Sequence, residues 1–223
     1  MAVAMIGLLV GAVGCGREVS GTARPDPEPA PLAVSDDGYG IVAGFGDAPA
    51  QIEIFTEPQC THCHELQEAF GDQLAYYITV GGLRVTYRPV TFLDEVPDGG
   101  YSATVANAMF VATQPACDAT TTSGTQFQHF VEELWAHQDP GGPAFTGAEL
   151  TDIARSAGLP EAVAAKVSDT APAVDVAKMA EANESALTDA DPYTAGTPTV
   201  VDLNSGEVVD LSDDSWIDQL VAP

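Results

Sequence analysis

The chain has 223 residues, with 7 Lys or Arg against 33 Asp or Glu and a formal net charge of -26 at pH 7. Phosphate backbones need cations that this chain lacks, and anionic lipid head groups repel such a surface. Nucleic-acid binding and electrostatic membrane docking are therefore excluded. The length allows one generous domain or two small ones with an ample core, and the charge keeps the surface solvated.

Residues 1–14 are apolar or Gly throughout. Such a run is too short to span a bilayer comfortably and has the length of a signal-peptide core. Ala12-Val13-Gly14-Cys15 resembles a bacterial lipobox, in which the cysteine becomes the lipid-modified first residue of the mature chain. Ala12 stands where that motif usually has Leu. No Lys or Arg precedes the apolar run, which fits a start upstream of Met1. The expectation is lipidation at Cys15 on the extracytoplasmic face of the cell membrane; a secreted chain or an uncleaved anchor are the alternatives. Residues 15–37 read as a tether, since Pro25, Pro27, Pro29 and Pro31 alternate. Over roughly 20 residues at about 3.1 Å each, it would reach roughly 60 Å.

The folded domain is expected over residues 38–221. Ile41, Val42 and Phe45 suggest a first strand within residues 39–46, and Gln51–Thr56 is a second, short, β-branched and aromatic. Glu57-Pro58-Gln59 turns the chain into a helix whose apolar residues Leu66, Phe70, Leu74 and Ile78 recur every four positions. Gly81-Gly82 stops it, and Leu83–Arg88 alternates as a further strand. Strand, helix and strand make a βαβ unit with parallel strands. The β pattern then disappears, and a helical subdomain is expected over about residues 98–190. It holds an Ala-rich helix over 101–113, an amphipathic one through Phe127, Phe130, Val131, Leu134 and Trp135, and shorter runs at 146–157, 160–167 and 173–187. Strands resume at Thr197–Leu203, turn at Asn204-Ser205-Gly206 and return over Glu207–Leu211; Ser212 is the expected cap of a last helix carrying Trp216 and Ile217.

Cys60-Thr61-His62-Cys63 sits at the strand-to-helix junction, with Cys60 at the helix N-terminus and Cys63 one turn in. The helix dipole and free N–H groups there favour a thiolate. A nucleophilic sulfur with its partner one turn away is a dithiol/disulfide couple.

Glu57-Pro58-Gln59-Cys60-Thr61-His62-Cys63 after a strand, Gly196-Thr197-Pro198-Thr199 before another, and a helical insertion between sheet elements together resemble the DsbA-like thioredoxin-fold family. The resemblance implies an α/β thioredoxin-like fold with an inserted all-helical subdomain. It implies a protein thiol–disulfide oxidoreductase without cofactor or metal, in which a cis Pro198 faces Cys60 and Thr197 presents backbone groups to an extended substrate. Implied partners are unfolded or thiol-containing secreted proteins and a membrane redox protein that recycles the dithiol. Cys60 would attack, Cys63 would resolve, and His62 is expected to add positive or hydrogen-bonding character beside Cys60; the alternative for His62 is a solvent-facing spacer. An oxidase is expected, with a reductase of the same fold as the alternative. Many relatives carry a buried acid where Ile54 stands, and Glu57 is either its substitute or a surface acid. Thr61 replaces the Pro often found after the first cysteine.

Three other readings compete. Cys60-x-x-Cys63-His64 matches the c-type haem attachment pattern. A zinc site from Cys60, His62, Cys63 and His64 lacks a second ligand pair, His129 and His137 being ordinary residues of the amphipathic helix. A tethered chaperone would carry the dithiol incidentally. Cys117 has no expected partner and reads as a small buried hydrophobe, an intermolecular disulfide or a redox relay.

Overall fold

A computed structural model describes residues 28–222, apart from 97, 98 and 170. The expected signal peptide, Cys15 and most of the tether lie outside the described residues. Among the described residues no helix is long and apolar enough to cross a membrane.

The alternating β-branched runs form one six-stranded sheet. In chain order the strands are β1 (Leu32–Val34), β2 (Ile41–Ala43), β3 (Ala50–Thr56), β4 (Leu83–Pro89), β5 (Thr199–Asp202) and β6 (Glu207–Val208). Their spatial order is β1-β2-β4-β3-β5-β6, with β3 and β4 parallel and every other pair antiparallel. The parallel pair is joined by helix α1 (Thr61–Thr79), as the βαβ spacing predicts. Between β4 and β5 come α2 (Tyr101–Ala112), α3 (Gly124–Ala136), α4 (Gly147–Ser156), α5 (Glu161–Val167) and α6 (Val176–Ala190); α7 (Trp216–Val221) ends the fold. This is the mixed α/β thioredoxin-like architecture with helices inserted between sheet elements.

The two-residue period of the central strands sorts their side chains between two layers. Ile52 and Ile54 of β3 join Leu83, Val85 and Tyr87 of β4 in a core shared with Leu66, Leu74 and Ile78 of α1 and Phe127, Phe130 and Val131 of α3. Trp216 closes that side against Phe70, edge to face with ring centres 5.5 Å apart. Phe55, on the opposite face, packs with Val201 and Leu187 of α6. Thus β3 is covered on both sides, and its C-terminal end is a fixed platform for whatever follows.

Two sequence expectations need correction. The tether does not run to residue 37: Leu32–Val34 pair with β2, Ala30 is buried, and Gly44 and Gly124 donate to the carbonyls of Pro31 and Ala30. The Pro alternation masked a three-residue apolar run too short to show a period. Ser212 does not cap the last helix; it folds back on Asp210, and Ser215 occupies the cap position.

On the second face, α6 is locked to the sheet through Asn183. Its buried Nδ2 donates to the carbonyls of Pro89 at 2.7 Å and Tyr39 at 3.0 Å. Asn183→Ala leaves both carbonyls without that donor and is expected to cost about 1–3 kcal/mol in equilibrium urea unfolding.

Candidate active site

The end of β3 leads into a tight turn in which the Cys60 N–H donates to the Glu57 carbonyl at 3.0 Å, with Pro58 fixing the first central position. Cys60 caps α1 with extended backbone, φ -76° and ψ 118°, and its carbonyl accepts from the Cys63 and His64 N–H groups. The turn thereby places two sulfurs in different surroundings. Cys60 is half-buried and reachable, whereas Cys63 is fully buried among Ile54, Leu66 and their neighbours.

That difference polarises the pair. The Cys63 thiol donates toward Cys60; against the cost of burial, the Thr197 side chain and the first-turn N–H groups of Cys63 and His62 also favour a Cys60 thiolate, lowering its pKa to about 5. Burial, reinforced by the Cys60 charge, pushes the Cys63 thiol well up. From far along the chain, the Thr197–Pro198 bond is cis, and the Thr197 carbonyl lies 3.1 Å from Cys60 Sγ.

Behind the sulfurs lies an acid. Glu57 is fully buried, its own N–H points at Cys63 Sγ at 3.5 Å, and desolvation raises its pKa to about 7. Ser102 Oγ donates to Glu57 Oε1, and the Gln59 N–H donates to Oε2 at 2.6 Å, which limit the rise; the nearby charges of Asp94 and Cys60 add to it. Gln59 Nε2 in turn donates to Asp94 Oδ1 at 3.0 Å and Ser102 Oγ at 3.1 Å. Asp94 accepts from the N–H groups of Ser102 and Ala103 and so caps α2, whose own cap position is Gly100. A Cβ on Gly100 would stand 2.1 Å from Asp94 Cγ, so the close approach depends on glycine. From the loop after α3, Gln138 Nε2 donates to the carbonyls of Pro58 and Cys60, and the Gly141 N–H donates to Gln59 Oε1.

A family model described as Thioredoxin matches residues 36–215. This chain belongs to the thioredoxin family. Among solved structures, MdbA of Corynebacterium diphtheriae, a thiol-disulfide oxidoreductase, is 25% identical and superposes with a TM-score of 0.65, covering 87% of this chain and 96% of that one. DsbA of Mycobacterium tuberculosis shares the fold at 18% identity, with a TM-score of 0.58 and coverage of 82% and 91%. The serine/threonine-protein kinase PknE of M. tuberculosis is 28% identical over 196 residues, which are 85% of this chain and 32% of the kinase. The chain thus spans about a third of the length of the curated relatives it matches.

Within this thioredoxin-family fold, the structure brings Cys60, Cys63, Thr197 and Pro198 together. His62 sits differently: its imidazole is exposed with no hydrogen-bond or ion-pair partner among the described residues, and only its backbone N–H acts on Cys60. For Glu57 the structure selects the buried alternative over the surface one. It stands three residues after Ile54, which is a core residue.

His64 lies between α1 and α3 with Nδ1 2.9 Å from the Trp135 carbonyl. A haem joined through both cysteines would need Cys63 at a surface, but that sulfur is sealed in the core. Among the described residues, the metal-compatible cluster is Asp72, His129 and Glu132, not the cysteines with His62 and His64. Cys117 is exposed and has no disulfide partner among the described residues, so it is not the buried hydrophobe its sequence allowed. Asp94, Ser102 and Gln138 escaped the sequence reading because their roles exist only through distant loops. Gln59, adjacent to Cys60, offered a signal by position alone.

Two outcomes follow. In the disulfide form, where Cys60 does not titrate, the raised Glu57 pKa means that the folded chain holds a proton that the unfolded chain has released between about pH 4.5 and 7, so the Glu57 contribution to stability falls as pH rises through that window. Glu57→Gln removes this slope, which urea unfolding across pH reads directly. His62→Ala leaves the backbone donor in place and is expected to keep the Cys60 thiolate titration, followed by ultraviolet absorbance, close to that of the unaltered chain.

Proposed function

We propose that this chain is a protein thiol–disulfide oxidoreductase that exchanges disulfides with thiol-containing proteins through Cys60 and Cys63, outside the cytoplasm and as an oxidase. The observation that carries the reading is the polarised pair: a reachable Cys60 whose thiolate the sealed Cys63 thiol favours, with the cis Thr197–Pro198 bond bringing the Thr197 carbonyl to 3.1 Å from Cys60 Sγ.

In the oxidising direction, a substrate thiolate attacks Cys60 Sγ. The Cys60–Cys63 bond breaks, and Cys63 leaves as a thiolate that takes a proton from Glu57. A second substrate thiolate then attacks the substrate sulfur of the mixed disulfide and expels the Cys60 thiolate. The substrate loses two electrons and two protons and gains a disulfide; the chain gains the two electrons as a dithiol. Glu57 suits both halves of the cycle because its raised pKa lets it give and take a proton near neutrality.

A stabilised Cys60 thiolate favours the reduced form and hence makes the disulfide the stronger oxidant, which supports the oxidase direction over the reductase. The apolar leader and the lipobox-like Cys15 support an anchored, extracytoplasmic protein, a compartment where disulfides persist. Each turnover leaves a dithiol, so a membrane redox partner that accepts two electrons completes the scheme.

Equilibration with glutathione tests this directly. The expected potential lies nearer the roughly -120 mV of strong oxidants than the roughly -270 mV of thioredoxin, and Cys60→Ser abolishes oxidation of a reduced dithiol peptide. A potential at or below the thioredoxin value assigns the chain to the reductases, and peptide oxidation surviving in Cys60→Ser removes the couple from the mechanism.

A further inference from the structure

Thr56 is the last residue of β3 and is 1% exposed, yet its hydroxyl has no hydrogen-bond partner. Its carbonyl accepts from Val90 N–H at 2.9 Å, so the open partner is that of the side chain. An orphaned hydroxyl in a core costs free energy, and a Val of nearly the same shape would avoid that cost. Such a group calls for an occupation the resting structure does not show.

The strand period says where it points. Ile52 and Ile54 face α1 in the same core as Cys63, while Phe55 faces α6. Thr56, two residues beyond Ile54, therefore faces α1 at the level of the buried sulfur. Its neighbour Glu57 already directs an N–H at Cys63 Sγ from 3.5 Å. In the dithiol, the Cys63 proton is directed to Cys60, so the Cys63 sulfur carries no charge for the hydroxyl to answer.

We propose that Thr56 is a further catalytic residue, whose hydroxyl is idle while Cys63 is a thiol and donates to its sulfur whenever that sulfur carries negative charge. The inference rests on Cys60 and Cys63 being the exchanging pair. In one direction Cys63 becomes anionic as the Cys60–Cys63 bond breaks; in the other, it loses its proton to Glu57 and attacks Cys60 Sγ, forming that bond and releasing the substrate thiolate. Both pass through the same buried sulfur anion, which otherwise has one neutral N–H donor at long range. The side chain also lowers the Cys63 pKa against the burial that raises it, as a donor to the anion must.

The test separates the two chemical steps in the full chain. Reduced protein is mixed with oxidised glutathione, and quenched samples give the second-order formation of the Cys60–glutathione mixed disulfide and its first-order resolution by Cys63, each across pH. A hydrogen bond to a charged group sets the size of the effect: Thr56→Val is expected to slow resolution about tenfold or more and to move its pH profile upward. Formation of the mixed disulfide stays unchanged, and Thr56→Ser restores resolution. Thr56→Val should also keep or raise the urea midpoint of the dithiol form, which a purely structural role for the hydroxyl would lower. Resolution in Thr56→Val at the unaltered rate and pH profile overturns the proposal while leaving the couple intact. If the unaltered chain forms no mixed disulfide at all, the couple fails and Thr56 with it.

Discussion

The site depends on one proton shared unequally between two sulfurs. Cys63 keeps it because burial makes a thiolate there costly, and Cys60 relinquishes it because the Cys63 thiol, Thr197 and the first turn of α1 stabilise the charge. Everything else in the fold maintains that inequality. The parallel β3–β4 pair fixes the height of the turn, α1 supplies the N–H groups, and the core behind Ile54 keeps water from the second sulfur.

The acid behind the pair extends the same logic. A carboxyl sealed beside a thiol stays neutral until the surroundings can accept its charge, and the Ser102 and Gln59 donors hold that point near neutrality rather than far above it. The strand position three residues earlier is Ile54, which packs, and Glu57 directs its own N–H at Cys63 Sγ.

Much of this was legible in the amino-acid order. The period of Gln51–Thr56 and Leu83–Arg88, the four-residue spacing from Leu66 to Ile78 and the two cysteines at their junction gave the βαβ unit, because those signals are local. The ends of elements were less so: Leu32–Val34 looked like tether because three residues carry no period, and Ser212 looked like a cap because its bond to Asp210 is invisible until the turn closes. The role of Glu57 stayed open because burial is a property of the whole packing, not of Glu-Pro-Gln-Cys. His62 looked electrostatic from its place between the cysteines, but a residue early in a helix can turn its side chain outward while its backbone stays engaged. Thr56 read only as part of a strand.

The bracing of the active-site turn from outside has a further consequence. Gln138 and Gly141, in the loop after α3, hold the Pro58 and Cys60 carbonyls and the Gln59 side chain. The helical insertion is thereby a second author of the turn's conformation, joined to it by a handful of polar bonds rather than by the sheet. A substitution in that loop would therefore reach the turn while the cysteines and the residues between them stay constant, so two chains with an identical C-x-x-C sequence need not hold it alike.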